Sequence, residues 1–434
     1  MKYEKYKDSG IKWIGEIPER WEVIKFKYFA DLFIGNSIPD EDKKNFELVE
    51  EGIPYIATKD VKADYSVDYE NGMYIPANSS NFKIATERSA LMCIEGGSAG
   101  IKKCFLERNV CFGNKLCCFR PTAKYVNARY MYYFIMSPTY ERYFHLNLSG
   151  LIGGVSIQNL KNFESIIPPI NEQEIIASYL DDKTSKIDAI IKSLEEQRDK
   201  LEQYKRELIS ETVTKGLDKN VPMKNSGTDW IGQIPEHWKI YPLFYLFEQN
   251  KDKNNGMKNS NLLSLSYGSI VRKDIDTTFG LLPASFEGYQ VVDNGYIILR
   301  LTDLQNDKRS LRTGLVREKG IITSAYVGLK KSLKDLNSEY LHYVLHTYDL
   351  KKVFYSMGSG LRQSLNFSDI KRVPLLFPPL EEQLEIVGYL NRQQVKIDSI
   401  MRKIDLQIEE LREYRKIIIH EVVTGKRKVV GGAE

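Results

Sequence analysis

The sequence predicts a duplicated fold: two unlike globular domains and a pair of long helices, related by a pseudo-two-fold axis. Two observations predict it. A tryptophan-containing segment and a longer block each occur twice, and two long stretches poor in helix breakers carry a seven-residue apolar repeat. With 434 residues, 42% of them hydrophobic, the chain can bury more than one core.

The first repeat is SGIKWIGEIPERW, Ser9 to Trp21, which returns 217 residues later as SGTDWIGQIPEHW, Ser226 to Trp238. All four tryptophans, Trp13, Trp21, Trp230 and Trp238, lie in these copies, which points to a shared docking or packing role. The second block runs from Asn127 to Thr214 and again from Asn337 to Thr424, at an offset of 210. Within it NARYMYYF aligns with NSEYLHYV, SGLIGGVSIQNL with SGLRQSLNFSDI, and IPPINEQEIIASYL with FPPLEEQLEIVGYL. The change of offset places a net seven-residue difference between Trp21 and Asn127, relative to Trp238 and Asn337. There the halves look unrelated: one holds the cysteines and EGGSAGIKK, the other RLTDLQNDKRSLRTG. One scaffold is kept twice while what it carries diverges.

Each Pro-Pro pair, Pro168-Pro169 and Pro378-Pro379, stops what precedes it and leaves a sharp helix start. No Pro or Gly follows from Asn171 to Lys215, and only Gly388 interrupts the other copy. Ile187, Leu194, Leu201 and Leu208 fall seven apart, as do Ile397, Ile404, Leu411 and Ile418; these are read as a positions of a helix-pair seam. The d positions then read Ile190, Gln197, Tyr204, Glu211 and Ile400, Gln407, Tyr414, Glu421, with Gln197 and Gln407 as candidates for setting register. A helix of about 44 residues spans roughly 66 Å, more than one small domain covers, so the expected partner is the other copy, antiparallel. The competing arrangement is two ordinary amphipathic helices, each packed on its own domain.

Composition narrows the function. With 62 Lys and Arg against 58 Asp and Glu, the net charge of +4 does not by itself announce a nucleic-acid binder, so any basic patch is local. No signal peptide opens the chain and no apolar run reaches the roughly 20 residues of a membrane span, so a cytoplasmic protein is expected. Cys93, Cys104, Cys111, Cys117 and Cys118 form no C-x-x-C pair and are expected to be reduced and buried. His342 and His346 stand four apart on an expected helix, but Tyr343 occupies the place where a zincin needs Glu. GGSAGIKK lacks P-loop spacing, no Asn- or Asp-Pro-Pro-aromatic motif of adenine methylation is present, and nothing singles out a nuclease carboxylate pair. No catalytic, cofactor-binding or metal site is predicted.

Two copies of W-I-G-x-I-P-x-x-W, a variable region, PPxxEQ and a long helix, together with RLTDLQNDKRSLRTGLVREKGIITSAY, resemble the specificity subunits of bacterial type I restriction-modification systems over essentially the whole chain. The resemblance implies an α/β (α+β) fold, with two target-recognition domains on an antiparallel helical coiled-coil spacer. It divides the chain into a repeated segment (1–21), the first recognition domain (22–168), the first spacer helix (169–216), the second repeated segment (217–238), the second recognition domain (239–378), the second spacer helix (379–425) and a tail (426–434). Each domain is then expected to read half of a bipartite, asymmetric site in double-stranded DNA. Two copies of a methyltransferase subunit dock on the scaffold, and restriction (motor) subunits join for DNA cleavage in phage defence. S-adenosylmethionine, and ATP with Mg, are expected on those partners and no cofactor on this chain. The first domain reads Ser149-Gly150-Leu151-Ile152-Gly153 where the commoner pattern carries Arg, which implies backbone contact with DNA there. The competing function is a stand-alone two-module DNA-binding protein or scaffold without a methyltransferase.

DNA contacts require basic or amide side chains on loops, since phosphate contacts fix position while Arg, Asn and Gln read base edges. The candidates are Lys59, Lys102, Lys103, Asn114 and Lys115 in the first domain, and Arg300, Gln305, Lys308, Arg309, Arg312, Arg362 and Gln363 in the second. Gly96, Gly97 and Gly100 are either a phosphate-approaching loop or a simple turn. Lys426-Arg427-Lys428 reads as a solvated tail or a further DNA contact.

Overall fold

Leu116, Cys117, Cys118 and Phe119 are buried in succession, as in a strand covered on both faces, and their strand occupies the middle of a sheet. The computed structural model describes every residue except 48–51, 77, 78, 80, 151, 152, 276–284, 305–310, 358–363 and 431–434. The chain divides into two compact units, one formed by Met1–Glu195 with Ile404–Glu434 and the other by Glu196–Lys403. This division groups each globular domain with the parts of the long helices beside it. It falls inside both long helices, Ile170–Lys215 and Leu380–Val423, so each unit holds one globular domain and a part of each helix.

In the first unit an antiparallel sheet has the order Ala30–Ile34, Leu116–Pro121, Ala90–Cys93, Lys103–Phe105. A second sheet has the order Tyr74–Ile75, Ile53–Ile56, Val110–Phe112, Ile84–Ala85, its middle pair parallel. The second unit repeats both. Phe247–Gln249, Val327–Lys331, Ile297–Leu299 and Thr313–Leu315 form the antiparallel sheet. Ser269–Lys273, Leu262–Ser266, Gly320–Ile322 and Gln290–Val292 form the mixed one, again with a parallel middle pair. The regions whose sequences look unrelated therefore share one topology.

The repeated motifs are the joints of this fold. Trp21 and Trp238 are fully buried, and each indole N–H donates at 3.0 Å to the glutamate of PPxxEQ, Glu172 and Glu382 respectively. The next residue ties the other side. Gln173 accepts from the Asn127 N–H at 2.8 Å and donates to the Tyr125 and Pro168 carbonyls, and Gln383 accepts from the Asn337 N–H at 2.9 Å and donates to Pro378. Asn127 and Asn337 in turn cap helices Ala128–Met136 and Ser338–Leu350, each accepting two backbone N–H bonds. Tyr130, on the first of these, shares its hydroxyl proton between the Ile166 carbonyl at 2.8 Å and the Val423 carbonyl at 3.2 Å, and its counterpart Tyr340 donates to Val213 at 3.1 Å. Each domain thus grips the last turn of a long helix that begins in the other repeat.

The long helices pair antiparallel in each unit. In the first, Arg415 meets Asp188 and Arg412 meets Glu195; in the second, Lys205 meets Asp398. The seam contains the predicted Ile187, Leu194, Ile404, Leu411 and Ile418 in the first unit, and Leu201, Leu208 and Ile397 in the second, all buried or half-buried. Their heptad partners differ from expectation. Thr184, Ile191, Ile408 and Val422 are buried, whereas Ile190, Tyr204, Ile400 and Tyr414 are 47–52% exposed and Gln197 and Gln407 lie on the exposed side. The predicted apolar positions are therefore d, their partners lie four residues on, and Gln197 and Gln407 do not set register from inside the seam. Adjacent isoleucines at 190 and 191 make both phases look apolar, and the seam's own Lys205 and Arg415 disguise the correct one.

The expected solvated tail is docked as far as Lys428. Lys426 donates to the Glu16 carbonyl at 2.7 Å, Arg427 pairs with Glu421 at 2.8 Å, and the Lys428 N–H donates to the Met1 carbonyl at 2.9 Å.

Candidate nucleic-acid interface

In the first unit the parallel strands Ile53–Ile56 and Val110–Phe112 end side by side, and the Gly113 N–H donates to the Ile56 carbonyl at 3.0 Å. Two turns leave from this edge. The first is held by Asp60, whose carboxylate accepts from the Ala57 N–H at 2.8 Å, and it presents Lys59 to solvent. The second, closed by a Leu116 N–H to Gly113 bond at 3.0 Å, presents Asn114 and Lys115. Lys102 arrives from a third segment and donates to the Thr58 carbonyl at 2.7 Å, so its half-buried ammonium braces the first turn. Four of the five candidates in this domain thus gather at one edge. Asp60, which organises the turn, carries no recognisable motif in sequence.

Lys103 does not join them. It is 2% exposed and paired with Glu141 at 3.4 Å, and burial holds its ammonium below the usual lysine range against the pull of that carboxylate. Strand alternation sends neighbouring side chains to opposite faces, so Lys102 turns outward and Lys103 inward. Gly96, Gly97 and Gly100 build a turn, in which the Gly96 N–H donates to the Gly153 carbonyl at 2.9 Å and the Gly100 N–H to that of Cys93 at 2.8 Å. Leu151 and Ile152 lie outside the described residues.

In the second unit Arg300 is exposed, and its backbone N–H donates to the Arg312 carbonyl at 2.8 Å. Arg312, expected as a DNA contact, turns inward instead. It is 8% exposed, and its guanidinium donates to the carbonyls of Thr302 and, at 2.9 Å, Asp303, fixing the chain that leaves Arg300. Gln305, Lys308, Arg309, Arg362 and Gln363 lie outside the described residues.

Among the described residues no three His, Cys, Asp or Glu side chains stand together as a metal site. All five cysteines are free and buried, and burial pushes the Cys104 and Cys118 thiols up to about 12 and that of Cys111 to about 11, so these three are poor nucleophiles. Among the described residues no helix is long and apolar enough to cross a membrane.

The sequence pattern of the type I restriction modification DNA specificity domain matches residues 18–203 and 313–410, more than half of the chain. The chain belongs to this family. The specificity subunit of the type I restriction enzyme MjaVIII of Methanocaldococcus jannaschii is 24% identical, over 98% of this chain and 97% of that protein. The EcoKI specificity subunit of Escherichia coli K12 is 21% identical over 95% and 90%. A solved chain from work on complex assembly and conformational transition of the type I R-M system superposes with a TM-score of 0.67 at 13% identity, covering 94% of this chain and 98% of that one, a likeness of fold. As a type I specificity subunit, this protein is a DNA-recognition component and not the catalyst.

Proposed function

We propose that this specificity subunit reads a bipartite, asymmetric site in double-stranded DNA, residues 22–168 recognising one half and 239–378 the other, and that it docks two methyltransferase subunits, through which restriction subunits join. The observation that carries the reading is the shared strand order of two domains with divergent sequences: one framework presents two sets of edge residues. Lys59, Lys102, Asn114 and Lys115 are the contacts we assign to the first half-site and Arg300 to the second. Linking two modest readers makes engagement of the second intramolecular, which supplies affinity that neither has alone.

For the methyltransferase we assign the outer faces of the long helices. Ile190 and Tyr414 are exposed in the first unit, and the offset of 210 carries them onto Ile400 and Tyr204, exposed in the second. An apolar pair offered twice suits two copies of one partner. S-adenosylmethionine, and ATP with Mg, then belong to the partner subunits, and the complex works in the cytoplasm. The experiment is to map modified bases across the genome of cells expressing the methyltransferase with and without this subunit. A two-part motif with a fixed gap, dependent on both proteins, is expected; modification independent of this chain overturns the proposal.

A further inference from the structure

The hairpin Leu262–Ser266 and Ser269–Lys273 turns through two residues, Tyr267 and Gly268, with φ of +46° and +81°. A two-residue turn with positive φ at both positions favours Asn or Asp followed by Gly, because a bulky side chain at the first position crowds its own backbone. Gly268 meets that demand and Tyr267 does not. The tyrosine is also 72% exposed, so most of its surface meets solvent. A residue that opposes the local backbone preference while presenting an aromatic ring to solvent is a candidate for function.

Its position gives the partner. A Cβ on Gly268 would lie 3.5 Å from the Leu311 side chain and 3.9 Å from the Thr313 carbonyl, and the Arg300 N–H bonds the Arg312 carbonyl, so Tyr267 and the exposed Arg300 flank the same short segment, 311–313. The strand leading to Tyr267 is also the counterpart of Ile53–Ile56: Leu262 pairs in parallel with Ile321 as Tyr55 does with Cys111, so the chain runs on to Tyr267 in the direction in which the first unit runs on to Lys59. We infer that Tyr267 is a specificity-determining residue of the second recognition domain: its ring packs against a base of the DNA half-site while Arg300 anchors the neighbouring phosphate. In a duplex an aromatic ring meets a base by apolar contact with its edge in a groove, or by wedging at a kinked step.

This inference rests on the bipartite reading proposed above, and the test separates the two. Tyr267→Asn restores the residue type the turn prefers while deleting the ring; Tyr267→Phe keeps the ring. The full complex with its methyltransferase is used, first in cells to map modified sites and then on duplexes carrying the wild-type motif. We expect Tyr267→Asn to melt at or above the wild-type temperature, to bind the duplex about tenfold or more weakly, and to relax sequence at one or two positions of one half-site only. Tyr267→Phe is expected within about threefold of wild type. Unchanged binding and an unchanged motif for Tyr267→Asn overturn the inference, as does relaxation of both half-sites together. Sequence-independent modification by the wild-type complex overturns the bipartite reading, and this inference with it.

Discussion

The Arg415 guanidinium donates to the Asp188 carboxylate at 3.0 and 3.3 Å, and the 210-residue offset maps this pair, with its order reversed, onto Lys205 and Asp398 at 2.6 Å. The same contact is made twice, with the cation changed. Arg415 is only 8% exposed and lies over the Tyr65 ring, 4.7 Å from its centre, so the ion pair also seats a loop of the first recognition domain on the helix.

Asp188→Asn therefore leaves a largely desolvated guanidinium without its counter-charge. A fully buried orphan charge costs about 3–5 kcal/mol, and partial solvation of the carboxylate reduces this to about 1–2 kcal/mol. Lys205→Met, in the more exposed pair, is expected to cost less than about 1 kcal/mol. Thermal melts of the two variants check the ordering, and equal shifts would remove the distinction.

The glycine after the second long helix is a sharper test of the joint. Gly425 has φ of +73°, and a Cβ there would lie 2.3 Å from Pro18 and 3.3 Å from Trp21. Gly425→Ala is expected to destabilise by about 1–3 kcal/mol through backbone strain and displacement of the repeated segment. Trp21→Phe, which deletes the indole donor and shrinks a fully buried ring while Tyr3 still donates to the same Glu172 oxygen at 3.1 Å, is expected to cost about 1–3 kcal/mol through the lost bond and the cavity. Denaturant midpoints measure both.

Salt dependence separates phosphate contacts from internal charges. Lys59→Ala and Lys115→Ala are each expected to reduce the slope of log affinity against log salt by about one. Lys103→Met, at the buried position, is expected to leave that slope unchanged. A loss of slope at Lys103 would contradict its burial.

The second unit should be acid-labile. Burial depresses His342 to about 3 and His346 to about 4; His346 and Arg317 add to the shift at His342, and Arg206 and Lys205 add to it at His346 while Glu202 opposes. Both folded-state values lie below the ordinary histidine value of about 6.5, so their contribution to stability is complete above that pH. It is lost as pH falls towards 4, by about 1.4 kcal/mol per pH unit per histidine. Hydrogen exchange in Ser338–Leu350 should accelerate over this range, and His342→Phe should blunt the effect. Protection that is flat from pH 7 to about 4.5 would refute it.

The duplication, the long helices and the structural weight of both tryptophan segments were legible because they depend on residue types at fixed spacing. The heptad phase was not, because Ile190-Ile191 satisfies either choice and the seam includes Lys205 and Arg415. Lys103 and Arg312 were misread for a related reason: a lone cation looks the same in sequence whether it faces solvent or, as these do, is buried against Glu141 or backbone carbonyls. The common sheet order of the two recognition domains was hidden too. Strand topology constrains burial, and many apolar residues satisfy the same burial.

The bond from Tyr130 to the Val423 carbonyl bears on how the protein is made. Ile418, Ile419, Val422 and Val423 belong to the core of the first unit, whereas the second unit is an uninterrupted stretch from Glu196 to Lys403. On the ribosome, the half translated first therefore waits for the final helical turns before its interior closes, and the half translated second is complete earlier. Non-local closure of this kind is slow, and in the interval the opening domain exposes an apolar seat that chaperones or premature self-association would compete for.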